Sequence, residues 1–244
     1  MDLSNKIFVS SGCSFSECIS PHIQTWPRHT SNYIQPKQHI SKGMGSQGNG
    51  LISRSIIYEV DRLLNEGVKN TDIIVGVMWS GYSRSEYYWD TKTRGGEWEP
   101  LHNDGWMYNP TNFNKVDTCG NWIITNYAWK SCKEYYKYYY DHVGGQINTL
   151  EHVLRTQWFL EKNKIDYFMM KYKNETFDLY NAIPCLHLYN QVNWRRFVSR
   201  QGCHEWCKQK NENYIDNETQ HPTTEAHKDF TESLIIPFIE SNYG

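Results

Sequence analysis

Apolar residues along this chain come in two spacings: short continuous runs and longer stretches of helical period. Ile7-Phe8-Val9 is the first run, and it predicts a buried strand over Lys6–Ser10, ended by Ser10-Ser11-Gly12. Residues 21–42 carry Pro21, Pro27 and Pro36 around Trp26 and read as irregular. The segment Gly43-Met44-Gly45-Ser46-Gln47-Gly48-Asn49-Gly50 is dense in glycine and polar. It leads into Leu51–Asn65, where Ile52, Ile56, Val60 and Leu63 recur at helical spacing, and Gly67 supplies a stop. Asp72–Trp79 is the clearest strand, an apolar run of the kind buried on both faces of a parallel sheet. The helical period resumes over Gln146–Asn163 with Leu150, Val153, Leu154, Trp158 and Leu160, and Ile165–Met170 follows as a strand. Phe177–Gln209 has no clear period, Tyr214–His221 reads as a loop, and Thr223–Ser241 predicts a C-terminal helix.

Strand, glycine loop, helix, strand is a βαβ unit, which predicts an α/β fold with a parallel sheet. Ligands in such sheets bind beyond the carboxyl ends of the strands. Ser14, the glycine loop and Ser80 are all predicted at that edge. Residues 83–143 break the pattern, with Gly95-Gly96, Pro100 and Asn109-Pro110, and read as an insertion in a single domain. Short helices are expected around Trp122–Tyr139.

Composition narrows the classes. The chain has 244 residues, 21% charged and 39% hydrophobic, enough for one sizeable core. A net charge of −2 with scattered Lys and Arg gives no footprint for nucleic acid. No run is long and apolar enough for a transmembrane helix, and no secretory signal is visible. The expected location is therefore cytoplasmic. The seven cysteines are odd in number and spread along a long chain, so reduced thiols are expected rather than a disulfide framework. Cys203-x-x-x-Cys207 with His204 and Cys185-x-His187 matches no strong zinc spacing, and neither a metal nor a cofactor is required. Aromatic residues make up 15% of the chain and crowd the span from Tyr82 to Tyr140. They are either the core of the insertion or a platform for sugar rings.

The candidate chemistry begins at Gly12-Cys13-Ser14-Phe15, directly after the first strand. A serine hydroxyl is a weak nucleophile and needs a base in hydrogen-bond reach. Read alone, Ser14 fits a helix cap better than a nucleophile. His221 is the candidate base, anchored just before the helix that opens at Pro222-Thr223. Glu218, three residues earlier, could accept from the imidazole and fix its tautomer, with Asp216 as the alternative acid. Backbone N–H groups of Ser14 and Gly45 are candidate oxyanion donors, with Ser80 a third. Trp79 and Arg84 are candidates for substrate contact; Arg84 could clamp an anion or pair with Glu86. Cys13 is a competing nucleophile, although an extended backbone would point it away from Ser14. His227 is expected to be structural.

These residues resemble the SGNH (GDSL-like) hydrolase superfamily, in the divergent branch found in phage and bacterial genomes. Gly12-Cys13-Ser14-Phe15 is similar to its first block, with Cys13 where an aspartate is usual. Gly45 best matches the second-block glycine, with Gly48 the alternative. Val77-Met78-Trp79-Ser80-Gly81-Tyr82-Ser83-Arg84 occupies the third block but lacks its oxyanion asparagine. Glu218-Thr219-Gln220-His221 matches the fourth, with glutamate for aspartate. The resemblance covers roughly residues 5–80 and 145–240. It implies a flavodoxin-like three-layer α/β/α fold, Ser14 as nucleophile, His221 as base and Glu218 as orienting acid. It also implies an ester hydrolase acting on an O-acyl group. The aromatic density suggests a carbohydrate ester. The rival expectation is a catalytically weak or inactive binding protein on the same scaffold, such as a phage particle component. Homo-oligomers or virion partners, in a host cytoplasm or a virion, belong to that setting.

Overall fold

The structure is a computed structural model that describes residues 3–17, 23–89, 121–125, 133–177 and 183–243. Strand β1 (Ile7–Ser11) is followed by a 3-10 turn at Ser14–Ser16, helix α1 (Trp26–Ile34) and strand β2 (Gln38–Ser41). Helix α2 (Asn49–Asn65) then leads to β3 (Ile73–Trp79). A two-stranded hairpin of β4 (Ser85–Trp89) and β5 (Asn121–Thr125) precedes α3 (Lys133–Tyr138), the long α4 (His142–Lys162) and β6 (Asp166–Lys171). Helices α5 (Leu186–Tyr189), α6 (Cys203–Lys210), α7 (Thr224–Phe230) and α8 (Ile236–Tyr243) complete the chain.

The main sheet has the order β2-β1-β3-β6, and all its pairings are parallel. Counting only these strands, this is the flavodoxin-like doubly wound order. Strand alternation divides the core into two layers. Ile7, Val9, Ile73, Val75, Val77, Tyr167 and Met169 pack with Ile52, Ile56 and Val60 of α2 and with Val153 and Leu154 of α4. Phe8, Ile74, Met78, Phe168 and Met170 point the other way, onto Trp26 of α1 and Phe230 and Ile239 of α7 and α8. A one-residue slip would exchange the two sets. Each buried side chain of this size contributes roughly 1.5–3 kcal/mol, so the register is strongly held. The fold is thus a three-layer α/β/α sandwich. Among the described residues, no helix is long and apolar enough to cross a membrane.

Three readings of the sequence need correction. Residues 21–42 hold α1 and β2 rather than irregular chain. Pro27 falls in the first turn of α1, where a missing N–H costs nothing. Strand β2 lies at the sheet edge with partly exposed side chains, so it carries no apolar run. Asn121–Thr125 is a strand, and among the described residues of that span the helix is Lys133–Tyr138. The C-terminal helix is interrupted by a π turn at Thr231–Ile235. Pro237 has no N–H for the Ser233 carbonyl, and Thr231 Oγ1 donates to the His227 carbonyl at 2.8 Å, which together widen that turn. Residues 90–120 and 126–132 of the insertion, with Cys119 and Cys132, lie outside the described residues, as does Cys18.

What remains of the insertion is tied to the core through Glu86. Its buried carboxylate meets Arg54 at 3.2 Å and lies against Gly48 and Gly50 at the start of α2. Burial nevertheless pushes the Glu86 carboxyl up. The pairing of Glu86 with Arg54 leaves Arg84 for another partner.

Three imidazoles are buried as neutral groups. Burial lowers His227 to about 3, and His39 and His152 to about 4 each, from an ordinary 6.5. Below that ordinary value the unfolded chain binds protons that the folded chain refuses, so stability falls as the pH drops from 6.5 towards these lowered values. By about pH 5 this amounts to roughly 2 kcal/mol for a group as buried as His227. Thermal unfolding should therefore shift down by roughly 5 °C or more between neutral pH and about pH 5. A His227→Phe variant should lose part of that slope in scanning calorimetry.

Candidate active site

The carboxyl edge of the sheet gathers four loops, one after each strand. The sharpest turn follows β1. A Cβ on Gly12 would lie 2.2 Å from Ser16 Oγ and 2.9 Å from the Met78 carbonyl oxygen. A Cβ on Gly43 would lie 2.2 Å from the Ser16 carbonyl oxygen. Glycine at both positions lets the turn after β1 lie against the loop after β2. Met44 N–H donates to the Gly12 carbonyl at 3.0 Å, and Trp26 Nε1 donates to Ser16 Oγ at 2.8 Å. Ser14 is the first residue of the 3-10 turn, so its N–H has no acceptor inside that turn.

The turn before α7 brings His221 to the same place, 207 residues away in sequence. Ser14 Oγ and His221 Nε2 are 2.7 Å apart. His221 Nδ1 is 2.7 Å from the Thr219 carbonyl oxygen. A carbonyl can only accept, so the Nδ1 proton is fixed there and Nε2 carries the lone pair that faces the serine hydroxyl. Burial lowers the His221 pKa, and Arg84 and Lys173 lower it further, against the raising effects of the Thr219 carbonyl and Asp216. The imidazole is therefore neutral at neutral pH, in the state and tautomer that a base requires.

The acid predicted to orient this histidine is a backbone carbonyl instead. Glu218 is exposed, and its carboxylate is not on the imidazole. Asp216 accepts the Thr219 N–H and hydroxyl, each at 2.7 Å, and the Glu218 N–H at 3.2 Å. These bonds hold its carboxyl below the ordinary aspartate value. Its backbone N–H donates to the His221 carbonyl at 2.9 Å, and Gln220 takes a left-handed φ of 58° to close the turn. Asp216 thus shapes the turn that presents the Thr219 carbonyl, and acts on His221 through it. The positive φ of Gln220 explains why Glu218, in the same short turn, is carried away from the ring.

The other predicted residues divide. Gly45 sits beside the site, but its N–H goes to the carboxylate of Glu17, whose pKa is raised by burial. Ser80 is fully buried, and its N–H donates to Asn49 Oδ1 at 2.7 Å, so it offers no backbone donor to a substrate. Trp79 is no substrate contact either. It is the last residue of the central strand, fully buried in the α2/α4 layer, with its indole N–H on Met169 Sδ at 3.4 Å. Arg84 donates to Ser80 Oγ at 2.9 Å and lies over the Tyr172 ring, 5.4 Å from its centroid. Cys13 is fully buried, which removes it as a competing nucleophile. Cys203 and Cys207 are buried thiols with sulfurs 4.0 Å apart in the second core layer.

A cleft of about 390 Å³ opens beside the pair, lined by Ser14, Glu17, Ile23, Thr25, His221 and His227 among others. The buried Phe15 packs against His221, with its ring 5.1 Å from that of His221 and 5.5 Å from that of Tyr172. Three contributors escaped the sequence reading. Thr219 acts through its main chain, which no residue type signals. Glu17 stands one turn beyond Ser14, a spacing that could have been noticed. Asn49, at the end of the glycine loop, donates to the Ser80 carbonyl and Thr149 Oγ1, both at 3.1 Å, and clamps the loop after β3. No family model matches the chain, and no curated protein matches it in sequence.

The tautomer is directly checkable. Imidazole ¹H–¹⁵N spectra should show His221 protonated at Nδ1 at neutral pH, with a titration midpoint below 6.5. Glu218→Gln should leave that midpoint within about 0.3 units, since a lost ionic partner would move it by about one unit or more. A drop of that larger size would return the orienting role to Glu218.

Proposed function

We propose that the protein is a serine ester hydrolase with Ser14 as nucleophile and His221 as base. The observation that carries this reading is the 2.7 Å contact between Ser14 Oγ and His221 Nε2, beside an accessible cleft. Ser14 Oγ attacks the ester carbonyl carbon as its proton passes to His221 Nε2. The imidazolium keeps its Nδ1–H on the Thr219 carbonyl, and Asp216 gives it a nearby negative charge. Collapse of the tetrahedral intermediate breaks the ester C–O bond, and the proton moves from Nε2 to the departing alkoxide. Water, deprotonated by His221, then releases the acid and restores Ser14. The Ser14 N–H is the nearest oxyanion donor. Gly45 joins it once the Glu17 carboxylate swings off its N–H, which protonation of Glu17 or an entering substrate would bring about. The substrate class is an O-acyl ester; a carbohydrate alcohol would suit the aromatic composition of the insertion.

A second reading is a binding protein that keeps the scaffold without turnover, for example as a phage particle component. The engagement of the Gly45 N–H by Glu17 favours it, because that donor is occupied as the site stands. Acyl-transfer sites lose about 10²–10³ in turnover when one oxyanion donor is removed.

A fluorophosphonate probe should label the wild-type protein at Ser14, and Ser14→Ala should abolish both labelling and hydrolysis of short-chain aryl esters. His221→Ala should lower turnover by roughly 10²–10⁴. The acid limb of the pH–rate profile should fall below pH 6.5, because the neutral imidazole survives to lower pH than a free one. Absence of labelling under conditions where a control hydrolase reacts would leave the binding reading.

A further inference from the structure

Two cations stand near Ser14 and His221 without lining the cleft. Arg84 leaves the loop after β3, and Lys173 the loop after β6, so neighbouring parallel strands deliver them to one edge. Both lie over the same aromatic ring. Arg84 Cζ is 5.4 Å and Lys173 Nζ 5.7 Å from the centroid of Tyr172. That ring packs edge-on against Phe15 at 5.5 Å, and Phe15 is the residue next to the nucleophile and 5.1 Å from the His221 ring.

Neither cation forms an ion pair among the described residues. The neighbouring carboxylates are engaged elsewhere: Glu175 accepts the Tyr172 hydroxyl, Glu17 the Gly45 N–H, and Asp216 its own turn. The Arg84 side chain is nevertheless fixed, by its bond to the buried Ser80 hydroxyl, which Asn49 in turn locks through the Ser80 backbone. A positioned guanidinium with free N–H groups matches a carboxylate or phosphate better than it matches water. Both charges reach the site, since each lowers the pKa of His221. Two like charges close to a catalytic base oppose the formation of its imidazolium. That opposition is relieved when an anion sits between them.

We infer that Arg84 and Lys173 form an anion subsite beside Ser14, and that the substrate is an ester bearing a carboxylate or phosphate group. This rests on the hydrolase reading for the word ester, and on the two side chains alone for the anion. The cleft holds one part of the substrate and the cationic edge holds the charged part, with the scissile carbonyl between them at Ser14.

The experiment compares 4-acetoxybenzoate with its uncharged methyl ester. The ratio of kcat/KM for the anionic over the neutral ester is measured in wild type, Arg84→Gln, Arg84→Lys and Lys173→Gln. Taking each variant against wild type cancels the intrinsic reactivities of the two esters. The expected result is a fall in that ratio of about tenfold for Arg84→Gln and a smaller fall for Lys173→Gln. Arg84→Lys should retain most of the preference, and both losses should shrink at high salt. Inorganic phosphate and benzoate as competitors separate the two anion types: the one that inhibits wild type more than Arg84→Gln marks the natural group. An unchanged ratio in both glutamine variants overturns the anion subsite, as does an equal loss on both esters. If wild type hydrolyses neither ester, the hydrolase reading alone falls. The subsite is then decided by calorimetric titration with benzoate and phosphate. It stands if wild type binds either more tightly than Arg84→Gln does, and it is overturned if the two proteins bind alike.

Discussion

The contact between the turn at Gly12–Ser16 and the loop at Gly43 governs the geometry of the whole site. A Cβ on Gly43 would strike the Ser16 backbone, and one on Gly12 would strike the Ser16 hydroxyl and the Met78 carbonyl, so neither glycine has space for a methyl group. The Ser16 side chain, which crowds Gly12, also accepts the indole N–H of the fully buried Trp26. The position of Ser14 is therefore set by the packing of α1 under the sheet. It is the only nucleophile candidate of the opening motif with its side chain outside the core, because Cys13 before it is completely enclosed. Widening that contact would move the serine hydroxyl relative to a histidine that arrives from an independent element, and a displacement of an ångström is enough to break a bond of this kind.

On the histidine side, the constraint is a local turn. Asp216 accepts three hydrogen bonds from Glu218 and Thr219, and the strained φ of Gln220 completes the turn. The result is a main-chain oxygen aimed at Nδ1, which sets the tautomer without placing a buried charge beside the ring. A carbonyl dipole stabilises an imidazolium less than a carboxylate does. The lowered pKa of His221 follows from its burial and the two nearby cations, which outweigh the raising effects of the carbonyl and Asp216. A base of lowered pKa is a weaker proton acceptor, but it is fully available over a wider acid range. An anionic ligand between Arg84 and Lys173 would move its pKa back up, so ligand charge and base strength are coupled in this arrangement.

Much of this was legible in the sequence, and the part that was not has physical causes. The runs Ile7-Phe8-Val9 and Ile73–Trp79 are buried on both faces, so their composition alone marks them as parallel strands. The helical period of α2 survives because one face packs on the sheet. Ser14 and His221 were recoverable because strand end and helix start are positions with strong chemical signatures. Strand β2 was not legible, since an edge strand is half exposed and needs no apolar run. Glu218 was misplaced for a different reason: sequence spacing counts residues but does not reveal a left-handed φ two positions later. Trp79 and Ser80 looked like edge residues because they end a strand, yet the strand is central and the layers close over it. The Thr219 carbonyl could not be read at all, because every residue has one.

The asparagine expected at the end of β3 is missing, but a buried asparagine acts on that loop from elsewhere. Asn49 holds both the N–H and the carbonyl of Ser80 from the start of α2. Its side chain therefore serves the scaffold and leaves the site without an amide donor from this loop. Arg84 is anchored by that same clamp, through the Ser80 hydroxyl. A guanidinium at this edge supplies positive charge where an amide would supply a dipole, and it does so over a longer range. In the hydrolase reading, the loop after β3 therefore supplies a cation near Ser14 rather than a neutral amide donor. Under the proposed anion subsite, that arrangement favours a substrate that brings its own negative charge over a neutral ester, which would leave Arg84 and Lys173 over the same ring with no ion pair of their own.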